Sequence, residues 1–235
     1  MKRFLIIGLG NFGSALAKRL TELGHEVFAI DSDEHKVENI KNDVTHAITL
    51  ECTEESILRT LPLHEIDYAI VAIGEDFADS ILATALLKKL NVKNIISRAT
   101  SSIHKTILEA LGLPEENIIT PEQESAERLV IKLTMKNILN YLNISQEFAI
   151  IEVEVPPKYF DKKLKDTDFR QKFNLNVITV KRKTKDFKKQ LYEVEEYEGV
   201  LTGEYKFKPG DIAIIFGHVA DIKNWYNHNV EDEFE

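Results

Sequence analysis

A short apolar run over residues 3–7 opens the chain and stops at Gly8. Continuous apolar runs of this length, bounded by glycine, suit a strand buried on both faces. A helical pattern follows, with Phe12, Leu16 and Leu20 spaced by four, ending at Gly24. The alternation then repeats. Strand-like runs fall at residues 26–30, 46–50, 68–73, 94–97 and 117–120. Helix-like stretches fall at 34–41, 54–60, 76–90 and 103–111. Six strands alternating with helices predict an α/β fold: a Rossmann-like, doubly wound parallel sheet covered on both faces. Pro121 suits a first helical turn, where its missing N–H costs nothing. The pattern predicts a helix over 122–142, with Leu129, Val130, Leu133, Ile138, Leu139 and Leu142 on one broad face.

The pattern changes after residue 143. A strand is expected over 148–155, where Glu152 and Glu154 alternate with apolar residues, and Pro156-Pro157 stops it. A short helix is expected over 164–173, strands over 176–181, 191–194 and 211–216, and a helical tail over 220–226. This predicts a small α+β C-terminal lobe. The boundaries are therefore 1–143 for the Rossmann-like domain, with 121–142 as its crossover helix, and 144–235 for the second domain.

The composition narrows the function classes. Of 235 residues, 43% are hydrophobic and 29% charged, a balance that supports a real core. Thirty Lys and Arg against 39 Asp and Glu give a formal net charge of −9. That argues against phosphate-driven nucleic-acid binding and against docking by bulk charge on an anionic membrane. The single cysteine, Cys52, excludes a disulfide framework or a cysteine zinc site within one chain. No run approaches the roughly 20 apolar residues of a membrane span. Residues 1–10 imitate the start of a signal peptide, but the apolar run is too short and Asn11 interrupts it.

The motif with chemistry is Gly8-Leu9-Gly10-Asn11-Phe12-Gly13, placed between a predicted strand and a predicted helix. Gly8 permits the tight turn, Gly10 lets a pyrophosphate approach the backbone, and Gly13 lets helix and strand pack closely. The helix N-terminus offers free N–H groups and a positive dipole end to phosphates. Asp31 closes the second strand 18 residues after Gly13. A carboxylate there accepts from ribose hydroxyls and repels a 2′-phosphate. The expected ligand is therefore NAD(H), ATP, ADP or a similar adenine nucleotide. Ser32 and Asp33 extend the same loop.

Loops at the carboxyl ends of the other strands should border the same crevice. They bring Glu51, Cys52, Thr53, Ile73, Gly74, Glu75, Asp76 and Arg98. Arg98 reads equally as a phosphate or base contact and as a surface arginine bonded to a helix end. Glu51 reads as an acceptor for an adenine amino group or as a helix N-terminal acid. Cys52 has no adjacent basic residue to activate it and reads as a small buried residue. In the second domain, His218 reads as a strand-end histidine. Lys181, Arg182, Lys183, Lys185, Lys188 and Lys189 read as a solvated strand end and turn. An NAD-dependent oxidoreductase would need a catalytic acid or base from the second domain. The absence of convergent polar groups there favours a nucleotide-sensing module without catalysis.

The chain resembles the RCK (regulator of K⁺ conductance) family, in its KtrA/TrkA-type branch of potassium uptake subunits. Four stretches of the first domain carry the resemblance: Ile6 to Gly13, Gly24 to Asp31, Ala69 to Gly74 and Ile118 to Glu122. Lys208 to Gly217 carries it in the last third. The weakest stretch, 183–206, is longer and more charged than the family pattern. Asn11 stands where KtrA-like members often carry arginine.

The resemblance implies a cytoplasmic, non-catalytic homodimer that assembles into an octameric ring. That ring would sit on the inner face of the cell membrane, through an integral K⁺ transporter or channel subunit. ATP or ADP, or NAD(H) in some members, would bind the first domain and reshape the ring. Glu122 would face its symmetry mate near the phosphates and hold Mg²⁺ or Ca²⁺. Asn174, Asn176, Val177 and Ile178 match the strand that binds cyclic di-AMP in relatives.

Overall fold

A computed structural model of the chain describes residues 1–145, 147–185 and 193–229. They form two compact units, Met1–Glu124 and Ser125–Glu235.

In the first unit the apolar runs become parallel strands: β1 (Arg3–Ile7), β2 (Glu26–Asp31), β3 (His46–Thr49), β4 (Tyr68–Val71), β5 (Ile95–Arg98) and β6 (Ile118–Ile119). Their order is β3-β2-β1-β4-β5-β6. The helices between them are α1 (Asn11–Glu22), α2 (Glu34–Ile40), the single turn α3 (Glu55–Leu58), α4 (Phe77–Lys89) and α5 (Ser102–Ala110). The strand pleat explains why the runs are continuously apolar. Leu5 and Ile7 join a core with Ile30, Val71, Leu87 and Leu108 on one face. Ile6 joins Val27, Ala29, Ile40 and Ile70 on the other. Leu5 and Ile6 are both fully buried, and each such side chain contributes roughly 1.5–3 kcal/mol. Strand β1 pairs with β2 on one side and β4 on the other, so the chain reverses direction at β1. The carboxyl ends of β1 and β4 therefore open a crevice at the switch point.

The expected helix over 122–142 is corrected. Helix α6 spans Pro121–Thr134, and β7 spans Ile138–Asn143. Asn137 takes a left-handed backbone, φ 65°, which ends the helical path. The spacing of Ile138, Leu139 and Leu142 fits either structure. Pairing decides it: Ile138 lies opposite Val153 and Leu142 opposite Ile150 in a hairpin with β8 (Phe148–Glu154).

The second unit is a five-stranded antiparallel sheet completed by β9 (Asn176–Lys185), β10 (Glu193–Tyr197) and β11 (Asp211–His218), in the order β10-β9-β11-β8-β7. Helix α7 (Val219–Asn229) buries Ile222 and Trp225 against it. The expected helix over 164–173 is also corrected. Only a 3-10 turn, Leu164–Asp166, forms there. Phe169 and Phe173, four apart as on a helix face, enter the core from irregular chain beside Phe207 and Trp225.

The reading of 181–189 as a solvated basic end fails at Lys181 and Arg182. Lys181 is buried and pairs with Glu152 at 2.8 Å. Arg182 clamps the buried Asp211, whose carboxylate also accepts from Tyr205 Oη at 2.7 Å and Lys208 N at 2.9 Å. These ion pairs replace the solvent that the sequence pattern suggested. Lys188 and Lys189 lie outside the described residues, as do the side chains of Lys183 and Lys185. Leu191 of the expected strand over 191–194 also lies outside.

Candidate functional site

The turn after β1 is built from two glycines that no larger residue could replace. Gly8 has φ 96°, a left-handed conformation that disfavours side chains. A Cβ on Gly13 would run into the carbonyl oxygen of Gly8. Helix α1 can therefore rise directly off the strand end. Gly10 differs, because nothing lies within 4 Å of where its Cβ would sit. That open space is on the approach side of the turn.

The N-terminus of α1 is left uncovered. Gly10 gives it no side-chain cap, and its first turn holds no acid. By contrast, Asp33 caps α2, Asp76 caps α4 and Ser101 caps α5. Uncapped N–H groups at a helix start form an anion-binding position. Beside it, Asp31 is almost fully buried at the end of β2. Its Oδ2 accepts from Leu9 N at 2.7 Å and its Oδ1 from Asp33 N at 2.9 Å. The two backbone donors hold the carboxylate against the glycine turn. Its remaining lone pairs suit ribose hydroxyls.

A cleft of about 370 Å³ runs along these groups. Its floor is the β1 turn, with Gly8, Gly10, Asn11 and Phe12. Asp31, Ser32, Glu51 and Cys52 line one end, at the tips of β2 and β3. Ile73, Gly74, Arg98 and Glu122 line the other, at the tips of β4 to β6. Three of the expected residues stand apart from the lining. Thr53 Oγ1 donates to Glu51 at 2.9 Å. Gly13 packs beneath the turn, and Asp33 accepts from His35 N at 2.8 Å as the α2 cap.

Glu75 and Asp76 line the cleft as expected, and so do Lys36 and Asp79, which the sequence reading missed. Asp79 carried a signal. Asp76 follows Gly74 by two residues and caps α4, and Asp79 stands in the first turn of that helix. Helix starts that follow a strand tip in this way face the crevice. Lys36 lies in the first turn of α2 and had no motif to mark it.

Carboxylates dominate the cleft. Burial, then the charges of Asp76 and Glu51, push the Asp79 carboxyl above its ordinary range. Burial, then the charge of Glu51, pushes the Cys52 thiol up to about 12. Cys52 is therefore a thiol, not a nucleophile, at neutral pH. Two cations line the cleft. Lys36 lies 3.8 Å from Glu75. Arg98, its side chain only 16% exposed, pairs with Glu122 at 2.5 Å. Arg98 thus lines the cleft and is bonded to the first turn of α6. The residues present fit an adenine nucleotide: an acceptor for ribose, an open helix start for phosphate, and a backbone gap at Gly10. Among the described residues, no group of three His, Cys, Asp or Glu side chains is arranged to hold a metal.

In the second unit, Asn174, Asn176 and Ile178 of the four candidate effector residues are exposed, at alternate positions, and Val177 is buried. Asn174 Nδ2 lies 3.4 Å from Asp221 Oδ2, and Asn176 Oδ1 accepts from Arg170 at 2.7 Å. Val177 joins the core, and Ile178 is exposed. His218 Nδ1 accepts from Ala220 N at 3.1 Å, at the start of α7.

Comparison with known proteins adds four findings. The TrkA-N domain family matches residues 4–121. The chain is 35% identical over 224 residues to the Ktr system potassium uptake protein C of Bacillus subtilis (strain 168), covering 95% of this chain and 96% of that protein. It is 33% identical over 233 residues to the Ktr system potassium uptake protein A of the same organism, covering 97% of each. In fold, it is similar to the GsuK RCK domain, with a TM-score of 0.59 at 15% identity, over 96% of this chain and 47% of that one.

Proposed function

The chain belongs to the RCK family as a KtrA/TrkA-type protein with a TrkA-N domain, and on that premise we propose that it is a nucleotide-binding regulatory subunit of a potassium uptake system. The observation that carries this reading is the cleft at the β1–β4 switch point. There the Asp31 carboxylate, held by Leu9 N, stands beside the uncapped start of α1. Such a cleft binds an adenine nucleotide with no 2′-phosphate: ATP or ADP, or NAD(H). The relatives that match over almost the whole chain are named as potassium uptake proteins. Among the described residues, no helix is long and apolar enough to cross a membrane.

In this reading a membrane-embedded partner carries the ion, and copies of this chain form a ring on its cytoplasmic side. The nucleotide binds one ring conformation better than another, and the partner senses which is populated. The chain itself turns nothing over. The neutral Cys52 thiol supports that part of the reading. Glu122 would add a divalent cation between two copies, and the strand carrying Asn176 and Ile178 would add cyclic di-AMP.

A thermal-shift screen tests the reading. ATP, ADP, NAD⁺, NADH and cyclic di-AMP are each added with and without Mg²⁺ or Ca²⁺. A ligand that binds only the folded chain raises its Tm. At least one adenine nucleotide should do so, and Asp31→Ala should abolish that rise. The reading fails if none shifts the wild-type chain.

A further inference from the structure

Arg98 sits in a seat made for it. It leaves the end of β5 and lays its guanidinium against Gly74 at the end of β4. An ideal Cβ on Gly74 would have three guanidinium atoms inside 3.0 Å. Nη1 lies 3.4 Å from the carbonyl oxygen of Ala72. Nη2 and Nε face Glu122 at 2.5 and 3.4 Å. The two partners differ in exposure: the Arg98 side chain is 16% exposed and Glu122 63%.

This pair borders the cleft that holds the uncapped α1 start. Asn11 offers no charge there, and Lys36 is close to Glu75. A phosphate entering the cleft therefore meets Arg98 as its available inner cation, already neutralised by Glu122. Phosphate and carboxylate seek the same planar fork of N–H donors. The phosphate carries more charge, and the guanidinium it would meet is mostly shielded from water, where screening is weaker. The carboxylate is mostly in water, where an ion pair contributes little.

We propose that Arg98 and Glu122 form a phosphate-operated latch. The phosphate of a bound nucleotide takes the guanidinium from Glu122 and frees the first turn of α6. The proposal rests on the nucleotide reading of the cleft and adds the means by which binding there reaches α6. Arg98 is the phosphate-binding residue, and Glu122 is the internal competitor that sets the affinity.

The test is a titration of the full chain with ADP and with NAD⁺, in EDTA so that no divalent cation contributes. Four proteins are compared: wild type, Glu122→Gln, Arg98→Gln and the double variant. Removing the competitor should tighten Kd about two- to fivefold, the scale of a largely exposed ion pair. Arg98→Gln should weaken it about tenfold or more. In the Arg98→Gln background, Glu122→Gln should change Kd little, because its effect runs through the guanidinium. The latch is overturned if Glu122→Gln binds no tighter than wild type. It is equally overturned if the gain is undiminished without Arg98, which would mark plain charge repulsion. If neither ligand binds the wild type, the nucleotide reading itself falls, and the latch with it.

Discussion

The Asp31 carboxylate accepts a hydrogen bond from the backbone N–H of Leu9 at 2.7 Å, tying the end of β2 to the glycine turn after β1. One group thereby braces the fold and lines the candidate cleft. Asp31→Ala leaves the buried Leu9 N–H without a partner and should cost about 1–3 kcal/mol. Asp31→Asn keeps an acceptor for Leu9 and should cost less, yet still weaken adenine nucleotide binding. Urea denaturation and ligand titration of both variants separate the two roles.

The glycines of the same turn should also separate. Gly13→Ala forces a methyl group into the Gly8 carbonyl, so α1 must lift off the sheet. A loss of about 3 kcal/mol or a failure to fold is expected, by the scale of severe overpacking. Gly10→Ala meets no atom and should leave the denaturation midpoint nearly unchanged. Its methyl group would stand in the cleft that Gly10 lines, so on the proposed reading the nucleotide-induced Tm rise should shrink.

In the second unit, Asp211 gathers Arg182, Tyr205 and the Lys208 N–H around a carboxylate with no exposed side-chain surface. The pairing raises the Arg182 pKa, and burial followed by the Asp211 hydrogen bond raises that of the Tyr205 phenol. Asp211→Ala leaves a half-buried guanidinium without its main partner. About 3–5 kcal/mol should be lost, the scale for breaking a buried pair. Tyr205→Phe removes one hydrogen bond and should cost about 1.5–3 kcal/mol at most. Chemical denaturation curves read both.

His104 is fully buried in α5, and its Nε2 has no hydrogen-bond partner. Burial lowers its pKa below the ordinary histidine value. The unfolded chain then binds this proton more readily than the folded chain. The stability contributed by the neutral ring is present above the unfolded pKa of about 6.5 and is lost as pH falls below it. His104→Gln should flatten the decline in stability between pH 7 and the acid limb, measured as Tm against pH.

Cys52 should resist thiol reagents. With its thiol pushed up to about 12, the folded chain holds little thiolate at pH 8. Modification by an aromatic disulfide reagent should be about a hundredfold slower than in the denatured chain. A bound nucleotide should slow it further, because Cys52 lines the cleft.

The parallel sheet and the phosphate turn were legible because each rests on local pattern. Runs such as 3–7 and 26–30 must be apolar on both faces, and a tight turn must have glycine where Gly8 takes positive φ. The spacing to Asp31 then placed the acid beside the turn. Where pattern was ambiguous, the sequence misled. Ile138, Leu139 and Leu142 satisfy a helix as well as a strand, and only hydrogen bonding to β8 selected the strand.

The amino-acid sequence by itself determined that strand, glycine turn and helix would meet at one cleft, since those constraints lie within about 30 residues of each other. Only the tertiary structure decided which charges face that site. Arg98 and Glu122 are 24 residues apart and meet because β5 ends beside the start of α6. Lys181 and Arg182 read as solvated ends until Glu152, two strands away on β8, and Asp211, on the adjacent β11, drew them inward. Charge pairing depends on positions brought together by the fold, and periodicity along the chain carries no record of them.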